Sequence, residues 1–479
     1  MMIPRPRYHF TPQQNFMNDP NGLVFYDGEY HLFYQYNPFG DEWGHMSWGH
    51  AVSRDLVHWE HRPVALHEED GIMIFSGSAV IDWKNTSDFG TGDNPPLIAI
   101  YTGHSESEQT QNIAYSRDHG RTWTKYAGNP VLATGAREFR DPKVFWHERT
   151  GQWIMVTVLA DQHKVRFDGS PDLRYWTHLS DFGPEGATDG AWECPDLFPL
   201  IIDSQPELMK WVLKVDVWKG TGAQYFIGDF DGTRFSNDAT DGRILSVDYG
   251  EDFYAAQSWS DEPNGRRIWI GWLNNWRYAN TIPTSPWRGA FSIIRVLSLT
   301  RTRDGIRLLQ RPIPELQPLR GEEYHWQNET IHPGTNLLAF VRGQSLEILA
   351  DFQITHEVEA FGLRVRVGWD DHTTIGYNVK EGRLYVDRTR SGQANFHDGF
   401  AHVHTANLSP IHDTLRLHIF VDSSSVEVFM NNGLVVFTEC IFPAEQSDGL
   451  ELFAEGGHVN LNSLDIYQLK PATFQITGN

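Results

Sequence analysis

Apolar positions along this chain come in short runs bounded by turn residues, not in helical stripes. Residues 30–36, 97–101, 153–158 and 267–272 are rich in aromatic and β-branched side chains and flanked by Gly, Asp, Ser or Pro. Such runs predict β-strands. No long segment carries a convincing 3.6-residue period, so all-α and Rossmann architectures are poor readings.

A turn signature recurs through the same region. Ser53-Arg54-Asp55 is followed by Trp59, Ser116-Arg117-Asp118 by Trp123, and Ser170-Pro171-Asp172 by Trp176. A weaker copy, 228–232, is followed by Phe235. The copies recur at intervals of roughly 54–63 residues, each after an apolar run, which is the pattern of propeller blades of about four strands. Some 300 residues at that period predict a five-bladed β-propeller over residues 1–310. The proline-rich stretch from Arg311 to Pro318 then reads as part of a linker, 311–325. Beyond it the repeat disappears and clean alternation takes over. Leu415, Leu417, Ile419 and Val421 alternate with Arg416, His418 and Phe420, and Asn431-Asn432-Gly433 is a strong hairpin turn. This predicts a β-sandwich over 326–479. The expected fold is therefore all-β: an N-terminal propeller followed by a C-terminal sandwich.

Charge narrows the partners. The 39 Lys+Arg against 62 Asp+Glu give a formal net charge of −23, which argues against nucleic acid and anionic membrane, both of which need a basic footprint. A neutral substrate fits better, and 18 tryptophans suit stacking on sugar rings. Two cysteines, Cys194 and Cys440, make neither a disulfide framework nor a CxxC zinc site. The basic N-terminus leads into no apolar segment, so no signal peptide is visible and a cytoplasmic location is favoured, unless a leader was removed. No run of 18 apolar residues is present.

Three carboxylates stand out, each in a dense polar-aromatic cluster ahead of a strand-like run. Asp19 sits in Asn18-Asp19-Pro20-Asn21-Gly22, Asp141 in Arg140-Asp141-Pro142, and Glu193 in Trp192-Glu193-Cys194-Pro195. The neighbouring Arg140 is expected to keep Asp141 ionised, whereas an apolar setting is expected to raise the pKa of Glu193 towards that of a general acid. Taken singly, each has an ordinary alternative: an Asx-Pro turn, a surface ion pair, a solvated glutamate. Together they suit glycosidic bond cleavage, which with retention needs a nucleophilic carboxylate and an acid/base carboxyl about 5–5.5 Å apart.

These motifs, with Phe75-Ser76-Gly77-Ser78, Trp48-Gly49-His50, Asp252-Phe253-Tyr254-Ala255 and Ser425-Val426-Glu427-Val428-Phe429, resemble glycoside hydrolase family 32, the β-fructosidases. The resemblance spans both domains and keeps the family's motif order. It implies a five-bladed propeller plus sandwich, with Asp19 as nucleophile, Glu193 as acid/base and Asp141 as transition-state stabiliser. It further implies a pocket for a terminal fructose lined by Asn18, Gln35, Trp43, Phe75, Ser76, Arg140, Tyr254 and Trp276, and neither metal nor organic cofactor. Sucrose, inulin and levan are the implied substrates, and residues 8–12, 112–116 and 283–288 are most similar to levanase-type exo-fructosidases. Two departures are visible. The family's Ile-Pro-Arg-Glu-Leu is Ile293-Ile294-Arg295-Val296-Leu297 here, and His45 stands where proline or asparagine is more usual, which bears on leaving-group preference.

Rival readings are an arabinanase- or xylosidase-like hydrolase on the same propeller, a sialidase, suggested by the Asp-box at Ser116, and a sugar-binding lectin without activity. The 22 histidines match no metal-site spacing and read as solvated or packed on aromatics. Cys194 reads as a packing residue that tunes its carboxylate neighbours, not as a nucleophile. Preference among the three sugars, transfer to acceptors other than water, and homo-oligomer formation stay open.

Overall fold

The computed structural model describes residues 3–476 except 221, 240 and 411. The first blade is built from Asn15–Tyr26, Glu29–Tyr36, Ser47–Ser53 and Trp59–Leu66. The second begins with Met73–Ile81, the third with Phe139–His147, the fourth with Trp192–Ile202 and the fifth with Tyr254–Ser258. Each of these first strands packs against the next, and the fifth returns to the first, closing the ring. Blades four and five are joined into one sheet by a single parallel pairing, Ile202 with Leu299. Phe474–Ile476 returns from the sandwich and pairs in parallel with the outer strand Trp59–Leu66 of blade one.

The recurring turn has one structural job. In blades one to four it links the third strand to the fourth, and an aspartate carboxylate accepts backbone N–H bonds across it. Asp55 caps Val57 and His58, Asp118 caps Thr122, Asp172 caps Arg174 and Tyr175, and Asp231 caps Thr233 and Arg234. The aromatic that follows opens or nearly opens the outer strand. This is why a weak sequence repeat reports blade spacing: the short Asx-type turn satisfies backbone donors that a surface loop otherwise leaves to water.

The sandwich packs a six-stranded sheet on a five-stranded one around a core that includes Leu346, Ile348, Leu363, Ile375, Val428 and Ile466. The stretch expected as a linker, 311–325, holds more structure than that word suggests. It contains the end of the last propeller strand, a short 3-10 helix Pro314–Leu319, and the start of Arg320–Ile331, an edge strand of the sandwich. The expected alternation on Thr414–Asp422 also needs correcting. Phe420 is fully buried, together with Phe429 and Val436, in a cluster that includes propeller residues. The propeller covers that part of the sheet's outer face, while Arg416 on the same strand stays exposed and His418 half-buried. The same contact explains Asn431-Asn432-Gly433, whose φ values are 44°, 63° and 84°. A Cβ on Gly433 would lie 1.7 Å from the carbonyl oxygen of Gln310 in the propeller.

Candidate active site

The propeller's five inner strands share one irregularity at one level. In each, two residues face a single residue of the second strand: Asn18 and Asp19 face Gln35, and Phe75 and Ser76 face Thr102. Asp141 and Pro142 face Thr157, Cys194 and Pro195 face Val215, and Ala255 and Ala256 face Gly271. A β-bulge bends its strand and re-aims side chains. Five of them at matching positions turn one ring of side chains towards the axis. In three blades the first bulged residue takes a left-handed backbone: Asp141 at φ 63°, Cys194 at 48° and Ala255 at 54°. Such φ values are unfavourable for residues with a Cβ and persist only where surrounding bonds fix them.

Those bonds are present. The Asp141 N–H donates to Thr102 Oγ1 at 3.0 Å, tying blade three to the residue opposite the bulge of blade two. Gln35, opposite the first bulge, donates to the Ile74 carbonyl of blade two at 3.0 Å. The buried Lys214 donates to the carbonyls of Cys194 at 3.1 Å and Ala256 at 3.0 Å, and pairs with Asp216.

On this frame the three candidate carboxylates converge. Asp19 Oδ1 accepts from Asn18 Nδ2 at 2.9 Å, and its Oδ2 accepts from Ser76 Oγ at 2.6 Å. The Cys194 thiol lies 3.4 Å from Asp19 Oδ2 and 3.6 Å from Asp141 Oδ2, so one sulfur bridges two carboxylates. Asp141 Oδ2 also accepts the Cys194 N–H at 2.9 Å. Glu193 is held from two sides. Arg140 donates to its Oε1 from Nη2 at 3.0 Å and Nε at 3.2 Å, and the Tyr254 hydroxyl donates to its Oε2. Arg140 is itself fixed by Gln109 at 3.2 Å and by Glu138.

Burial sets the protonation. It pushes Asp141 up to about 7 against the pull of Arg140, with Glu193 and Asp19 adding in the same direction. The expectation that Arg140 keeps Asp141 ionised is therefore corrected. The guanidinium sits 3.9 Å from Asp141 and spends its hydrogen bonds on Glu193, Gln109 and Glu138. Burial also raises Glu193, opposed by Arg140 and Tyr254, in the direction expected of it. The Cys194 thiol is raised far above its ordinary value by burial and then by Asp141 and Asp19, so it stays a thiol.

The other expected pocket residues gather at the same end. Phe75 stacks on His104 at 4.3 Å and meets the edge of Trp43 at 6.0 Å. Trp43 is partly exposed, and its backbone N–H donates to Asn280 Oδ1 at 3.0 Å. Trp276 packs on Trp272 at 4.9 Å and on Phe16 at 6.4 Å. Among the described residues, Asn18 Oδ1 and Trp276 Nε1 are buried polar atoms without a hydrogen-bond partner. In a site of this composition such atoms point to a polar ligand. His45 lies further out, exposed, bonded to Glu68 at 2.8 Å and edge-on to Phe39. Sequence reasoning missed Thr102, Gln109, Glu138 and the pair Lys214 and Asp216. Only the last pair left a signal, two charges spaced by one within the apolar run 211–217.

Comparison with known proteins agrees with this geometry. Residues 9–312 match the glycosyl hydrolases family 32 N-terminal domain, and residues 315–468 match the family's C-terminal domain. A levanase of Bacillus subtilis is 51% identical over 97% of this chain and 70% of its own length. The extracellular exo-inulinase of Aspergillus niger is 39% identical over 97% of this chain and 94% of its own. The crystal structure of the Aspergillus awamori exo-inulinase superposes with a TM-score of 0.91 at 38% identity, over 98% of both chains. With both domains matched in order and almost end to end, the chain belongs to glycoside hydrolase family 32 and is a β-fructosidase-type glycoside hydrolase.

Proposed function

We propose that the protein is a retaining exo-β-fructosidase that removes terminal fructofuranosyl units from levan, inulin and sucrose. The observation that carries the reading is the asymmetry among three converging carboxylates. Asp19 is held by two donors beside a sulfur, while Glu193 is pushed towards its protonated form between a guanidinium and a phenol. In the first step an Asp19 oxygen attacks the anomeric C2. The C2–O bond to the leaving group breaks, and the proton of Glu193 passes to the departing oxygen. In the second step water attacks C2, Glu193 takes its proton, and the ester to Asp19 breaks.

Charge makes the role switch automatic. The Asp19 anion is one of the groups that raise Glu193. Once Asp19 is esterified that charge is gone, so Glu193 ionises more readily and becomes the base the second step needs. Asp141 would bond fructose hydroxyls. The free acceptor of Asn18 and the free indole N–H of Trp276 would meet further hydroxyls or waters. Levanases and exo-inulinases among the relatives support fructans as substrates, and a similar β-fructofuranosidase structure complexed with fructosyl-erythritol supports recognition of a fructosyl unit.

Product analysis on sucrose, inulin and levan tests this. Free fructose as the sole early product from both polymers is expected. Oligosaccharides as early products would replace the exo reading with an endo one. Absence of fructose from all three would sink the assignment.

A further inference from the structure

The inner strand that carries Asp141 at one end, Phe139–His147, helps frame a cavity at its other end. It has a volume of about 310 Å³ and is lined by blade two (Val80, Ile81, Trp83, Lys84), blade three (Trp146, Glu148) and blade five (Asp261, Arg267). Asp141 and Trp146 lie on one strand, Phe139–His147. Five residues at about 3.3 Å each put the two ends roughly 16 Å apart. A buried polar plug separates them. Lys143 donates to the Ser258 carbonyl at 2.6 Å and pairs with Asp196 at 3.4 Å, and Arg267 donates to the Trp259 carbonyl at 3.2 Å. The pit and the carboxylate cluster are therefore separate sites, not one channel.

The pit is assembled, not accidental roughness. The Trp83 indole N–H donates to Asp261 at 2.9 Å, which fixes a ring that is 60% exposed. The Lys84 ammonium lies 4.3 Å from the centre of the Trp146 ring and 3.8 Å from Glu148. Two cations and two carboxylates share the wall, so a ligand of either net charge gains little. Aromatic surface offers purchase to an apolar C–H face, and the mixed polar groups offer donors and acceptors to hydroxyls. The volume is at the lower end of small-molecule sites, about 300 Å³. Those properties fit a neutral, polyhydroxylated ring.

We propose that the pit formed by Trp83, Lys84, Trp146, Glu148, Asp261 and Arg267 is a second, non-catalytic sugar site that takes a single hexose ring. A free hexose and the end of an oligosaccharide present the same ring, and both enter the test.

The protein is labelled with 5-fluorotryptophan, and resonances are assigned by single Trp→Phe replacements. It is titrated with fructose, glucose, a short inulin-type oligosaccharide and the acyclic polyol mannitol. Saturable shifts of the Trp83 and Trp146 resonances with at least one ring sugar are expected, with little response to mannitol. Trp83→Ala is expected to abolish the Trp146 shift and leave sucrose hydrolysis unchanged. A larger response to the oligosaccharide than to free hexoses would assign the site to chain ends, and the reverse to monosaccharides. Trp43 and Trp276 report the catalytic end in the same spectra. If they move with fructose while Trp83 and Trp146 stay fixed, or if mannitol acts as strongly as a ring sugar, the second site is wrong. If sucrose is not hydrolysed but Trp83 and Trp146 respond, the proposed activity fails and the second site stands.

Discussion

Two of the buried charge clusters in this molecule behave in opposite ways. In the candidate active site, the funnel at the propeller axis, Asp141 and Glu193 share the Arg140 guanidinium while Asp19 lies beside Cys194, and burial drives Asp141 and Glu193 upwards. At the seam between the domains, His9 is bonded to Asp422 at 2.8 Å and to Glu427 at 3.0 Å, and Arg295 reaches Glu427 at 2.8 Å. There, although burial pulls the other way, hydrogen bonds to His9 hold Asp422 and Glu427 below their ordinary values. Their bonds in turn push His9 up to about 9. Even at the seam the balance is local, since burial still raises Asp248, which meets Arg295 at 3.0 Å. Matched charge fixes one domain on the other. Unmatched charge keeps a proton available for chemistry.

The sharpest break of the comparison comes from removing one carboxylate on each side. Asp19→Asn is expected to lower sucrose turnover by at least about 10⁴-fold, because no nucleophile is left. Glu193→Gln is expected to lose about 10²–10⁴-fold, the range for a general acid/base. Neither change should lower the melting temperature, since each removes a crowded charge. At the seam the pattern reverses. His9→Ala leaves two buried carboxylates short of a partner and is expected to destabilise by about 3–5 kcal/mol. Below the new unfolding transition its KM and kcat should match the parent's. Equal loss of stability in Asp19→Asn would erase the distinction.

The pH dependence sharpens the contrast. A His9 pKa raised from 6.5 to about 9 means that the folded state holds the proton more tightly. Its contribution, on the order of 3 kcal/mol, is fully present below about 6.5 and is lost as pH rises through 9. Unfolding in urea across that window should show stability falling in the parent and falling less in His9→Gln. Activity should respond on the other cluster's terms. Tyr254 donates to Glu193 and lowers its pKa. Tyr254→Phe should therefore shift the alkaline limb of kcat/KM to higher pH, with no matching change in the stability profile.

The two clusters were not equally legible in the sequence. The funnel announced itself because its residues lie in local motifs, where proline or glycine beside a carboxylate marks the backbone irregularity. Asn18-Asp19-Pro20, Asp141-Pro142 and Cys194-Pro195 coincide with bulges. That five bulges stand at one level was not legible, because each depends on the register of a neighbouring strand. The seam was harder. His9 and Glu427 are 418 positions apart, and no local pattern links them. Alternation along 414–422 marked Phe420 as outward, and only the docked propeller makes outward mean buried. Sequence periodicity reports which face a strand turns from its own sheet's core, not what a second domain lays on that face.

The smallest expected effect tests the atom that touches two of the three carboxylates. Cys194 Sγ lies within 3.6 Å of both Asp19 and Asp141, in a backbone conformation fixed by Lys214. A thiol is a weak donor, so it fills this position without strongly favouring either anion. Cys194→Ser supplies a stronger donor at nearly the same place. It should stabilise the ionised form of whichever carboxylate it faces and lower that group's pKa. If Asp19 receives the bond, its oxygen becomes a poorer nucleophile, and kcat should fall by less than about tenfold, the effect of one modest hydrogen bond. If Asp141 receives it, the pH dependence of kcat/KM should move to lower pH, because Asp141 is the group raised to about 7. The thiol's own chemistry is the control. Burial keeps it protonated, so iodoacetamide at neutral pH should leave the folded enzyme fully active. Rapid alkylation with loss of activity would show an accessible thiolate at the centre of the funnel. Reduced kcat in Cys194→Ser would then reflect lost thiolate chemistry and no longer measure how the neighbouring carboxylates are tuned.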